Sequence, residues 1–135
     1  MLRFTLSAII CFAVNCCFAQ TQLDMNDDAD KRFQKSDKEL NDVYKQILKE
    51  YKSDTAFIRN LKESQRIWIK FRNAEMNVKY PKREFGSVFP MCWALYEASL
   101  TEERTKALRV WLTGEEEGDV CAGSVKTIAP QKSNK

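Results

Sequence analysis

No histidine occurs among the 135 residues. That absence removes the commonest general base, the imidazole metal ligand and every Ser-His or Cys-His nucleophilic arrangement. No Gly-rich phosphate loop and no internal repeat is present. After the first nineteen residues only Cys92 and Cys121 remain of five cysteines, and their wide separation lacks the paired spacing of a zinc site. The acidic run Glu115, Glu116, Glu117 with Asp119 lacks the alternating ligands and central glycine of an EF-hand, so it reads as a solvated charge cluster. No cofactor, no metal and no catalytic residue is expected. A one-signed charge is missing too: removing the leader takes only Arg3 from the 22 basic residues and none of the 19 acidic ones, a formal charge of about +2. A nucleic-acid partner normally meets a basic face with interleaved aromatics, and none is expected here.

One long apolar run is present, at the start. Arg3 supplies a positive first region, Phe4 to Val14 an apolar stretch, and Cys17-Phe18-Ala19 a small-residue cleavage site before Gln20, so residues 1–19 read as a secretory signal. The alternative is a lipoprotein anchored through Cys16 or Cys17, against which the preceding Ala-Val-Asn is a poor processing site. No second run approaches the roughly 20 apolar residues that cross a bilayer. The expected location is therefore periplasmic or secreted. In an oxidising compartment Cys92 and Cys121 are expected to form one disulfide, worth roughly 3 to 4 kcal/mol for a loop of this length.

From Thr21 to Leu112 the apolar residues recur mostly at helical spacing, and from Gly118 the periodicity is lost. Thr21 with Asp24 resembles a capping box, and Phe33, Leu40, Val43, Tyr44, Ile47, Leu48 and Tyr51 continue a core face at i, i+3, i+4, i+7 spacing. Lys52-Ser53-Asp54 reads as a tight turn with Asp54 the N-cap of a second helix through Ile58, Leu61, Trp68 and Phe71 to about Lys79. Pro81 stops it, and the loop to Phe89 exposes Lys79, Lys82, Arg83, Gly86 and Ser87. Pro90 suits the first turn of a third helix, Thr101 with Glu102 and Glu103 marks a kink or a fresh N-cap, and Gly114 ends the last segment. The expected fold is all-α: a long antiparallel helical hairpin with one or two further helices packed across it and a disulfide-stapled C-terminal segment. Residues 20–114 form the helical domain, and residues 115–135 an acidic loop, the Cys121 staple and a disordered tail.

The second helix carries the most informative stretch. Leu61, Gln65, Trp68, Arg72 and Glu75 fall within an arc of about 80° on its apolar side. Unpaired, such polar groups would cost several kcal/mol to bury. They read as a satisfied polar core network, joined by Arg104 from the last helix, with an Arg72–Glu75 ion pair inside it. A carboxylate enzyme working through a desolvated Glu75 is the competing reading, against which Arg72, one turn away, could hold that carboxylate ionised.

Met25-Asn26, Lys38 to Tyr44, the Ser-Gln-Arg-x-Trp-x-x-x-Arg-x-Ala-Glu core ending at Glu75, Gly86-Ser87, Cys92, and Leu100-Thr-x-x-Arg-Thr105 together resemble the LprI-type lysozyme-inhibitor N-terminal domain family over Leu23 to Leu112. The resemblance implies an exported bacterial envelope protein of small helical fold, with lysozyme as a protein partner and no catalytic residues. Asp28 and Met76 stand where the family carries cysteines, which implies that relatives hold a second disulfide there and that Cys92–Cys121 is the one kept. Phe85 stands where a glycine is common.

Two surfaces could meet a muramidase. Lys82, Arg83, Gly86 and Ser87 could enter a cleft whose catalysis depends on carboxylates. Glu115, Glu116 and Glu117 could instead meet a cationic enzyme surface. The expected function is an exported binding protein that occludes a muramidase non-covalently; the alternative is an envelope interaction or structural module with no lysozyme affinity.

Overall fold

The computed structural model describes residues 2–81, 86–118 and 120–129, with side chains from Thr21 onward. Three long helices dominate: α1 (Leu2–Glu50), α2 (Thr55–Lys79) and α3 (Phe89–Thr113), the last entered through a single 3-10 turn, Gly86–Val88. Among the described residues, no helix is long and apolar enough to cross a membrane.

Local chemistry sets most of the ends. The Asp54 carboxylate accepts from the Phe57 backbone N–H at 2.9 Å, satisfying an amide that the first turn of α2 leaves open. Tyr80 closes that helix by donating its N–H to the Met76 carbonyl, one residue before Pro81. Gly114 ends α3 at φ +83°, and a Cβ there would lie 2.7 Å from the Lys126 carbonyl oxygen and 2.8 Å from Ile128 Cγ2. Glycine is required twice over at that position, by backbone sign and by the close approach of the returning chain. That returning chain makes a two-residue parallel pair, β1 (Glu115–Glu116) with β2 (Thr127–Ile128).

Cross-helix contacts rise together along α1 and α3: Asn26 with Ser87, Arg32 with Glu102, Glu39 with Arg109, Tyr51 with Trp111. The two helices are therefore parallel, with α2 antiparallel to both. Small side chains permit their approach. Ala29 and Ser36 on α1 and Ala94, Ala98, Thr101 and Thr105 on α3 are all buried, and small residues bring two backbones toward the close end of the usual 8–10 Å spacing. The Thr101 hydroxyl donates to the Glu97 carbonyl at 2.8 Å and Thr105 to Thr101 at 2.9 Å, so neither is left unsatisfied. Leu40, Val43 and Ile47 of α1 join Leu61 and Leu108 as the apolar centre, with Tyr51, Phe57 and Trp111 packed at one end.

Several expectations change. The tight hairpin of α1 and α2 is not the closest pairing, because α2 presents large side chains while α1 and α3 present small ones. In the full chain with its leader, α1 runs through Thr21 and does not begin there. Thr101 neither kinks α3 nor starts a helix: its hydroxyl serves its own helix. Phe71 lies on the outer side of α2, 53% exposed. No disulfide joins Cys92 to Cys121. Unbroken α3 puts roughly 30 Å between Cys92 and its own C-terminal end, and the segment beyond stays there, Lys126 donating its N–H to the Tyr51 hydroxyl. A disulfide needs Cα atoms within about 7 Å. Residues 120–129, expected as staple and tail, instead return to pair with β1.

Replacing Ala98, which is fully buried, by Leu should lower the unfolding free energy by about 1–3 kcal/mol in urea denaturation, whereas Leu at exposed Ala107 should change little. Arg32 grips the Glu102 carboxylate with bonds of 2.9 and 2.8 Å, and that hydrogen bonding holds its carboxyl below the ordinary value. The contribution is present above the unfolded carboxyl's titration and is lost as pH falls through the lower folded value. Glu102→Gln should therefore flatten the fall in melting temperature between about pH 5 and 3; superimposable acid limbs would remove the ion pair from the account.

Candidate functional site

Arg72 occupies the gap that α2 leaves between α1 and α3. Its side chain is 12% exposed, with the guanidinium carbon 5.3 Å from the Trp68 ring centre and 5.7 Å from that of Phe33. Nη1 donates to the Thr101 hydroxyl at 3.1 Å. Because that hydroxyl spends its own proton on the Glu97 carbonyl, its lone pairs are left facing Arg72. Glu97 at 3.4 Å and Asp37 at 3.7 Å supply the charge, both farther away than the 2.7–2.9 Å of a tight charged hydrogen bond. The cation is caged between two rings and two carboxylates. Its Nε finds no hydrogen-bond partner among the described residues.

About two turns earlier lies a second polar tie. Buried Gln65 accepts from Arg104 Nε at 3.1 Å, and Arg104 also donates to the Ser64 hydroxyl at 3.0 Å. The Arg104 guanidinium lies 5.9 Å from the Trp68 ring, so that indole packs near two cations. Burial pushes the Arg104 pKa down. The structure thus brings Gln65, Trp68, Arg72 and Arg104 together. Glu75 is half-buried on the same helix, but the carboxylates that Arg72 meets are Asp37 and Glu97. These two, with Phe33 and Thr101, are the members that sequence reasoning missed. Asp37 follows Phe33 by four residues and so shares its face of α1, the one signal that could have suggested the pair.

At the α2–α3 turn the chain is pinned by aromatics. Tyr80 packs with Phe89, Trp93 and Tyr96 at centroid distances of 5.7, 5.8 and 6.2 Å, and its hydroxyl donates to the Cys92 carbonyl at 3.1 Å. Burial raises the Tyr80 pKa. Lys79 Nζ sits 3.6 Å from the Tyr96 ring centre. Gly86, at φ +68°, opens the 3-10 turn, and the carbonyl of exposed Ser87 accepts from the Asn26 side chain at 3.3 Å. Beside this turn a cleft of about 640 Å³ lies between α1 and α3, walled by Leu23, Phe33 and Trp93 and edged by Asp27, Asp30 and Glu97.

Lys82 and Arg83 lie outside the described residues. Glu115, Glu116 and Glu117 sit at the opposite end of α3 from Gly86 and Ser87, roughly 37 Å away along 25 residues. There the Glu115 and Glu117 N–H groups donate to Lys126 and Ile128, while Lys126 Nζ meets Glu50 at 2.6 Å. The described members of the two candidate contact surfaces therefore lie at opposite ends of α3. No group of three or more Cys, Asp or Glu side chains suited to a metal occurs among the described residues.

A family model described as lysozyme inhibitor LprI matches residues 15–108, which span the Arg72 cage, the Gln65–Arg104 tie and the Gly86–Ser87 turn. An uncharacterized protein of Rhizobium meliloti (strain 1021) is 29% identical over 106 residues, covering 70% of this chain and 76% of its own. No solved structure matches the chain.

Arg72→Ala should cost about 3 kcal/mol of unfolding free energy, the lower end for a partly buried ion pair because Asp37 keeps contact with water. Glu75→Gln should cost less than about 0.5 kcal/mol. Chemical denaturation of both variants checks the assignment, and the reverse order of costs would return Glu75 to the centre of the network.

Proposed function

Since the chain belongs to the lysozyme inhibitor LprI family, we propose that it is an exported envelope protein that binds a muramidase and occludes its cleft non-covalently. The leader, residues 1–19, is removed after Ala19 on this reading, and the helical body acts outside the cytoplasm. The inhibitor makes and breaks no bond, and no catalytic residue is assigned to it.

The contact is placed at the Gly86–Ser87 end. What supports it is the framing of that turn: the Tyr80 cluster fixes the exit of α2, Pro90 the entry of α3, and Asn26 holds the Ser87 carbonyl from α1. The Gly86–Ser87 turn, held in this way, loses little freedom on binding, which favours affinity. Lys82, Arg83 and the Ser87 hydroxyl then supply cations and a small donor to a cleft that works through carboxylates. The acidic segment Glu115–Glu117 is the weaker candidate, since backbone pairing and the Lys126–Glu50 bridge already occupy that end.

The test is a cell-wall lysis assay with chain recovered from export, titrated against lysozymes of several classes. Saturable inhibition at about micromolar concentration or below is expected. Lys82→Glu, Arg83→Glu and Ser87→Asp together should raise the inhibitory concentration at least about tenfold, as for loss of a few good contacts. Glu115→Lys with Glu116→Lys should leave it within about twofold. A folded sample that inhibits no class would make this chain an envelope module without lysozyme affinity, and an effect confined to the Glu115 end would move the contact there.

A further inference from the structure

The outer face of α2, turned away from the Arg72 cage, carries Ile67, Phe71, Ala74 and Val78 at alternating four- and three-residue spacing, which aligns them in one ridge. Ile67 is 55%, Phe71 53% and Val78 75% exposed. Along one flank of the ridge and its N-terminal extension run Arg59, Arg66 and Lys70, all exposed, with Lys62 farther round the helix. The single acid between them, Glu63, is engaged by Arg66. A shallow depression bordered by Lys52, Arg59, Lys62 and Arg66 continues this cationic strip toward the start of the helix.

We propose that this face of α2 docks on an anionic lipid surface. Ile67, Phe71 and Val78 enter the boundary between headgroups and acyl chains, and Lys70, Arg66 and Arg59 lie against the lipid phosphates. Shape and charge choose this occupant. The ridge is convex, one residue wide and roughly 16 Å long, so it cannot approach the roughly 800 Å² per partner of a stable protein interface. A bilayer needs no complementary pocket, and a helix with an apolar line beside a row of Lys and Arg is the pattern that lies in its interface. Cations on one flank complement anionic headgroups and gain nothing from a neutral surface. Contact of this kind is peripheral and reversible, and it leaves the Gly86–Ser87 turn accessible at the end of the bundle.

Co-sedimentation of the exported chain, its N-terminus established by mass spectrometry, with two kinds of vesicle tests the proposal. One is pure phosphatidylcholine; the other contains about one third phosphatidylglycerol. The expected result is binding to the anionic vesicles, at least about tenfold weaker on neutral ones and reduced by added salt. Phe71→Ser and the pair Arg66→Glu with Lys70→Glu should each weaken it at least about tenfold, while Lys45→Glu on the exposed side of α1 should not. Unchanged circular dichroism keeps a loss of binding from being a loss of fold. Equal binding to both vesicle types, indifference to Phe71→Ser, or no sedimentation with either would overturn the proposal. A concentration-dependent dimer lost on Phe71→Ser, without vesicle binding, would overturn it in favour of a second copy of the chain.

Discussion

The arrangement of the three helices depends on how one guanidinium is housed. Arg72 crosses the space between α2 and the α1–α3 pair, and removing its charge from water is unfavourable unless something replaces hydration. Two carboxylates, a threonine lone pair and two aromatic faces do so, each from a defined direction. A lysine could not use the same cage, because the planar guanidinium is what lies between rings while bonding at its edge. Those contacts are all made at one rotation of α2. That rotation turns Gln65 toward Arg104 and leaves Ile67, Phe71 and Val78 outside.

Two kinds of packing follow from one sequence. Between α1 and α3 the contact is short and dry, built of Ala, Ser and Thr whose hydroxyls bond back to their own helices. Against α2 it is mixed, with Leu61 and Met76 buried beside Gln65 and with Trp68 and Arg72 next to them. Close packing gives the pair its stability, since every methylene there meets neighbours. The polar tie adds direction, because hydrogen bonds fail at the wrong angle while apolar contacts tolerate it. The exit of α2 at Tyr80 inherits that direction, and with it the position of the Gly86–Ser87 turn.

Helix ends and the core face of α2 were legible because they rest on local chemistry: a carboxylate at Asp54 capping an open amide, a proline at 81, a glycine at 114, and a 3.6-residue period through Leu61, Gln65 and Arg72. What depends on distance through space was not. The Arg72–Glu75 pairing suggested by sequence spacing gives way to Asp37 and Glu97, because a long side chain aimed between helices meets the neighbours' acids rather than its own. Thr101 before two glutamates looked like a cap, since the residue types at a cap and in a small-residue interface overlap. Compartment and cysteine count suggested Cys92–Cys121, and one unbroken helix keeps them apart. The apolar ridge of α2 was hidden because Phe71 fits a helical period on either face.

The most direct measurement is a double-mutant cycle between Arg72 and Glu97, using Arg72→Met, Glu97→Gln and the pair, with unfolding free energies from chemical denaturation. If the caged cation orients α2, the two losses are not additive and their coupling is about 1–3 kcal/mol, the range for residues sharing one buried network. Additivity to within about 0.3 kcal/mol would contradict the account, leaving α2 held by its apolar side chains alone.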